Sequence, residues 1–164
     1  MTRTAPRRLA AWHMAIRRIV PLALVLAVAA ACGSDPGVAP DAASDVALFV
    51  ELMNQHRVDV GCPALTWNAD VAAVAQAHSE DMVARNFFAH TNPDGDSPFD
   101  RLANAGIDFS AAAENIAYGY PTPEAVLDAW LASDGHRANI ENCALTEHGV
   151  GLQDAYWTHL FIRP

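Results

Sequence analysis

Lysine is missing altogether from the 164 residues, and no aspartate or glutamate precedes residue 33. Five of the ten arginines (Arg3, Arg7, Arg8, Arg17, Arg18) lie before residue 19, so positive charge is gathered at the N-terminus. Without residues 1 to 31, five arginines face nineteen acidic residues, a formal charge of −14. A surface so acidic repels nucleic acid and gains nothing from anionic head groups. Nucleic-acid partners are therefore excluded, and membrane association falls to a covalent lipid anchor.

A run long enough to cross a bilayer is also absent. The apolar stretch "IVPLALVLAVAAAC", Ile19 to Cys32, is too short for a span and follows basic residues, which reads as a secretory signal. Met14 opens a stretch with the length of a complete signal, leaving two readings of the start. Small residues before Cys32 and "GSDPG" after it are similar to the bacterial lipoprotein signal, in which the cysteine becomes the lipidated first residue. Ala29 departs from the leucine usual there, and ordinary cleavage with Cys32 left as a free thiol is the alternative. The expected organisation is a signal peptide over 1–31, a flexible Gly/Pro/Ser/Asp tether over 32–44 and one folded domain over 45–164. The expected location is outside the cytoplasm, as a cell-envelope lipoprotein or an extracellular protein.

Cysteine is scarce, three in all. With Cys32 assigned to the anchor, Cys62 and Cys143 remain, and in an oxidising compartment a disulfide between them is the expectation. Two buried free thiols are the alternative. A zinc site on these cysteines is disfavoured, since neither has a second Cys or His at ligand spacing. Also absent are an HExxH pair, an EF-hand loop, a GxSxG elbow, a P-loop and a GxGxxG turn.

What is present begins with Val46, Phe49, Val50 and Met53, whose spacing predicts a helix from Asp45 to about Val60 capped by Ser44. Asn68 caps a second helix whose stripe of Val71, Val74, Ala75, His78 and Met82 continues toward Phe88. His78 on this stripe reads as a core histidine held by a backbone partner, or as one flanking a site. "PFDRLANAG" predicts a short helix stopped by Gly106. "PTPEAVLDAWLASDGH" predicts a helix capped by Thr122, with Pro123 at its first position, halting near Gly135. The tail "EHGVGLQDAYWTHLFI" predicts a β-hairpin turning at "QDA", with Trp157 implying that both faces of its strand are covered. Helices first and strands last predict an α+β fold.

His90 and His136, each placed after a helix, and Glu114, opening a strand, are the candidate site groups. Their separations of 24 and 22 residues do not by themselves force them together. Phe87 and Phe88 are expected to anchor the helix end in the core, so that the following loop turns His90 into a cleft. Asn115 reads as structural, Asp134 and Arg137 as a helix-end ion pair, and His148 and His159 as surface residues.

Four ordered segments, "FFAHTNPDGDSPFDRLANAG", "AENIAYG", "AVLDAWLASDGHRANI" and "EHGVGL" with "YWTHLF", together resemble the bacterial members of the CAP superfamily. These are the SCP-like domains related to cysteine-rich secretory proteins, antigen 5 and plant pathogenesis-related protein 1. The resemblance spans roughly Val46 to Phe161. It implies a three-layer α-β-α sandwich with a central, mainly antiparallel sheet. It also implies a cleft of two histidines and acidic residues that in several members binds a divalent metal. Carried over, His90 and His136 are the cleft histidines and candidate Zn²⁺ ligands, and Glu114 is the cleft acid. Ser133 stands where eukaryotic members carry a further glutamate, and His159 where relatives often carry glutamine. Two functions follow as expectations. One is a binding module for a small apolar molecule, a glycan or a protein; the other is a metal-dependent hydrolase with Glu114 as general base.

Overall fold

The computed structural model describes Met1 and residues 41 to 164. The segment expected to be a signal peptide, Cys32 and the expected tether up to residue 40 lie outside the described residues. Nine elements follow in order: α1 (Ala42–Asp59), β1 (Thr66–Trp67), α2 (Ala69–Arg85), α3 (Pro98–Asn104), β2 (Ala111–Tyr118), α4 (Pro123–Leu131), α5 (Asp134–Ile140), β3 (Glu147–Gln153) and β4 (Tyr156–Arg163). The strands form one sheet in the order β1-β3-β4-β2, antiparallel except for the short parallel β1–β3 pair. Helices cover both faces, which makes the α-β-α sandwich.

Local chemistry sets the helix ends. Asp41 caps α1, its Oδ1 accepting from the Ser44 backbone N–H at 2.8 Å. Residues 42–44, expected to be tether, are thus the first turn of the helix, and the cap is Asp41 rather than Ser44 because its carboxylate also suits the positive end of the helix dipole. Asn68 caps α2 as its sequence position implies, accepting from the N–H groups of Asp70 and Val71. The α2 stripe stops at Arg85 and does not reach Phe88, because Asn86 turns left-handed at φ 52°. The long helix expected to halt near Gly135 ends at Leu131, and a separate helix, α5, starts at Asp134.

Side-chain alternation along β3 and β4 divides the core in two. One face carries Val150, Leu152, Trp157 and Phe161 against Phe49, Met53 and Val126 of α1 and α4. Trp130 of α4 meets Phe49 edge-on at 5.4 Å between ring centroids. The other face carries Leu160 and Ile162 against Val71, Ala75 and Leu102. There α2 lies directly on the β3 backbone. A Cβ at Gly149 would stand 2.1 Å from the Ala72 nitrogen, and one at Gly151 2.4 Å from the Gln76 Cα, so no side chain larger than hydrogen fits between them. Both faces of β4 are covered, which explains the unbroken burial from Trp157 to Ile162.

Cys62 and Cys143 form a disulfide across 81 residues. Beside it, the guanidinium of Arg57 is wholly buried without a carboxylate, donating instead to the carbonyls of Pro63, Ile140, Asn142 and Leu145. The carbonyls of Ile140, Asn142 and Leu145 thereby tie the end of α1 to the end of α5 and the segment after it, while Pro63 holds the loop that follows α1.

Two expectations about exposure fail. His148 and His159 are fully buried, not on the surface, because central strands covered on both faces leave no solvent side. They lie on the α1 face, with His148 Nδ1 3.0 Å from His159 Nε2. Phe88 is half exposed and Phe87 only partly buried, so they do not jointly anchor the helix end; Phe87 packs on the His78 ring while Phe88 turns outward after Asn86.

Candidate functional site

The site forms around β2, the edge strand farthest from β1. Glu114 lies within β2, not at its start, and its side chain is 2% exposed on the face covered by α2 and α3. Its neighbour Asn115 points the opposite way, toward α5, as strand geometry requires. The candidate residues therefore approach one strand edge from both sides.

On the α3 side, Glu114 is held at both oxygens. Oε1 lies 2.8 Å from His90 Nδ1, and Oε2 accepts from the Arg101 guanidinium at 2.6 Å. Arg101 also donates to the carbonyl of His90 at 2.7 Å and to that of Asp96 at 3.2 Å. One arginine thus fixes both the carboxylate and the backbone from which the imidazole projects. Its position comes from a capping box at the start of α3, where Ser97 and Asp100 bond each other's backbone N–H. The intervening loop is ordered by Asn92, whose side-chain oxygen accepts from the N–H groups of Asp94 and Asp96.

His78 joins this arrangement from behind. Buried in α2, its Nε2 is 3.0 Å from the carbonyl of Ala89, the residue before His90. A carbonyl can only accept, so Nε2 carries the proton. Burial, with Arg101 nearby, lowers its pKa and keeps the ring neutral. The two readings of His78 meet: it is a core histidine with a backbone partner, and that partner adjoins the site.

On the α5 side, His136 Nδ1 shares a hydrogen bond of 3.0 Å with Ser133 Oγ. Ser133, the last residue before α5, is thus the histidine's partner. Asn115 donates to the His136 carbonyl at 3.1 Å and accepts from Asn139 at 2.8 Å, pinning α5 to the strand. Desolvation, then the charge of nearby His90, lowers the His136 pKa. Asp134 and Arg137 form an exposed ion pair beside the site that adds little.

His90 and Glu114 are therefore in direct contact, and His136 reaches the same edge through a separate hydrogen-bond system. Arg101 escaped sequence reasoning. Its signal was its isolation, since no other arginine lies between Arg85 and Arg137.

The donor set falls short of a zinc centre, which takes three or four protein ligands. Both Glu114 oxygens are engaged, Ser133 offers a hydroxyl and not a carboxylate beside His136, and two imidazoles remain. Among the described residues no three His, Cys, Asp or Glu side chains gather where they could hold an ion.

An α-β-α sandwich with histidines and a carboxylate at an edge-strand cleft defines a recognisable class. Residues 50–158 match the model of the cysteine-rich secretory protein (CAP) family, and the chain belongs to that family. It is 43% identical over 115 residues to the uncharacterized protein YkwD of Bacillus subtilis, and 41% identical over 115 residues to the uncharacterized membrane protein YlbC of the same organism. Those matches take in 69% and 70% of this chain but 45% and 33% of the relatives, so the chain spans less than half their length. A crystal structure of an extracellular protein containing an SCP domain from Bacillus anthracis superposes with a TM-score of 0.73 at 35% identity, over 78% of this chain and 45% of that one. An outer surface protein of Borrelia burgdorferi shares the fold, with a TM-score of 0.70 at 20% identity over 77% of this chain and 98% of that one.

Proposed function

We propose that this domain is an exported binding module whose β2-edge cleft, built from His90, Glu114 and His136, receives a ligand without transforming it. The observation that carries this reading is the double engagement of Glu114. A general base needs an oxygen open to a water or substrate proton, and here each oxygen is already hydrogen-bonded, to Arg101 or to His90, in a side chain only 2% exposed. Ser133 and His136 do contact each other at 3.0 Å, but among the described residues no carboxylate is bonded to that imidazole to orient it as a base. The alternative is a zinc hydrolase using His90, His136 and Glu114. It requires Glu114 to leave Arg101, which would cost a buried ion pair.

Export rests on the apolar run before Cys32 and on the disulfide, which suits an oxidising compartment. The Bacillus anthracis relative, described as extracellular, points the same way. A lipid on Cys32 would hold the domain to a membrane through the tether; among the described residues no helix is long and apolar enough to cross one. Detergent-phase partitioning of the full chain, lost in Cys32→Ser, is the expected result, and partitioning unchanged by that substitution would remove the anchor.

The deciding experiment for the cleft combines zinc titration by calorimetry with an ester and peptide turnover screen. The module reading expects no turnover with or without zinc. Stoichiometric zinc uptake with turnover that Glu114→Gln abolishes, in a variant that still folds, would replace it by the hydrolase.

A further inference from the structure

All three tyrosines of the chain, Tyr118, Tyr120 and Tyr156, lie at one end of the sheet beside the cleft. The β2–β4 register sets Tyr118 directly opposite Tyr156, and their rings stack at 4.2 Å between centroids with a 33° tilt. Phe88, turned outward by the left-handed Asn86, comes within 6.4 Å of Tyr118 and 6.3 Å of Tyr156. Tyr118 is 56% exposed, Phe88 50% and Tyr120 37%. Three separate segments thus converge to display aromatic rings to solvent, although a small core would gain from burying them.

Phe88, Tyr118 and Tyr120 border a cavity of about 320 Å³ whose lining also includes Trp130, Ser133 and His136, and Tyr156 adjoins it through its stack on Tyr118. No aspartate, glutamate or arginine lines it, in a domain otherwise dense in carboxylates. Such a wall offers a charged ligand no partner, and the surrounding acidic surface repels polyanions. A purely aliphatic ligand would leave the Ser133 hydroxyl and the His136 imidazole facing hydrocarbon. The lining instead suits a ligand with apolar C–H faces and hydroxyl edges, the chemistry of a pyranose ring.

From this geometry we infer that the Phe88, Tyr118 and Tyr156 platform, with the adjoining Ser133–His136 pocket, is a subsite for an uncharged oligosaccharide. Sugar rings stack on the platform, and their hydroxyls bond to the pocket wall and the tyrosine hydroxyls. The inference rests on the binding-module reading of the same cleft and supplies its ligand class.

Chitotetraose and cellotetraose, neutral β-linked tetramers, are the probes, titrated into the disulfide-bonded protein and followed by NMR and calorimetry. The expected result is saturable binding of at least one probe, with shifts at Phe88, Tyr118 and Tyr156. Tyr118→Ala and Phe88→Ala should each weaken it about tenfold. Tyr118→Phe, which keeps the ring, should stay within about threefold of the parent. Both positions are exposed, and unchanged thermal unfolding confirms that the variants fold. Absence of binding by either tetramer at millimolar concentration would overturn the sugar assignment, as would stronger binding of decanoate at the same residues. Binding that survives both alanine substitutions but is lost in His90→Ala would remove the platform and leave the cleft as the binding site. Zinc-dependent turnover of esters would defeat the module reading without touching the sugar titration, so the two failures are distinguishable.

Discussion

Two pairs of histidines occupy this domain, and they could hardly be placed more differently. His148 and His159 face each other on central strands, wholly buried among Phe49, Trp67 and Phe161. His90 and His136 sit at the edge of β2, where the His90 side chain is half exposed. The core pair is sealed from solvent. Burial pushes His148 down to about 4 and His159 well below its ordinary value, so both rings stay neutral near pH 7. Each also keeps one ring nitrogen without a partner, His148 Nε2 and His159 Nδ1. The edge pair has hydrogen-bond partners on one side and solvent on the other. A histidine's role is thus decided by strand position and cover.

The comparison predicts that the core pair governs stability and the edge pair binding. The largest effect is expected for His159→Ala, which opens a cavity among packed aromatic rings and should cost about 3 kcal/mol in a urea melt. A loss under about 1 kcal/mol would show that the ring is not integral to the core.

Acid provides the next test. In the unfolded chain these histidines take up protons near pH 6.5, whereas the folded chain resists until about pH 4 at His148. The unfolded state therefore binds more protons across that window, and stability falls as pH drops through it. The loss should be on the order of 2 kcal/mol by denaturant midpoints, and His159→Leu should flatten the curve. An equally steep curve in that variant would assign the acid sensitivity elsewhere.

Glu114→Gln bridges the two regions, being buried like the core yet part of the cleft. It strands the Arg101 charge and should cost about 2 kcal/mol, with loss of the His90 hydrogen bond read by imidazole NMR. The smallest effect belongs to His90→Ala, which removes one partner of Glu114 but leaves its Arg101 bond, and is expected to cost about 1 kcal/mol. If instead it destabilises as much as His159→Ala does, the division into core and cleft histidines collapses.

Sequence patterns located the helices well where caps and periodicity agreed, as at Asn68 and Thr122. They misjudged boundaries where one residue's dihedral decided the outcome, as at Asn86, or where Ser133 and Asp134 began a new helix within a continuous helical pattern. The site was visible only through the ordered motifs of the family, since separations of 24 and 22 residues carry no geometry of their own. Arg101 was missed because an arginine on a short helix reads as solvated until the carboxylate it meets is known. Phe88 was misread because the continuing helical stripe and its apolarity place a phenylalanine inside, whereas the left-handed Asn86 places it out.

Charge segregation, the helix caps at Asn68 and Thr122 and the α+β class were settled by the order of residues, because those properties depend on composition or on neighbours within a turn or two. The burial of His148 and His159, the grip of Arg101 on Glu114 and the gathering of the tyrosines were decided only when distant strands paired. Pairing assigns each side chain to a face, and that choice depends on register and on which helix covers the sheet, neither of which a local stretch of sequence contains.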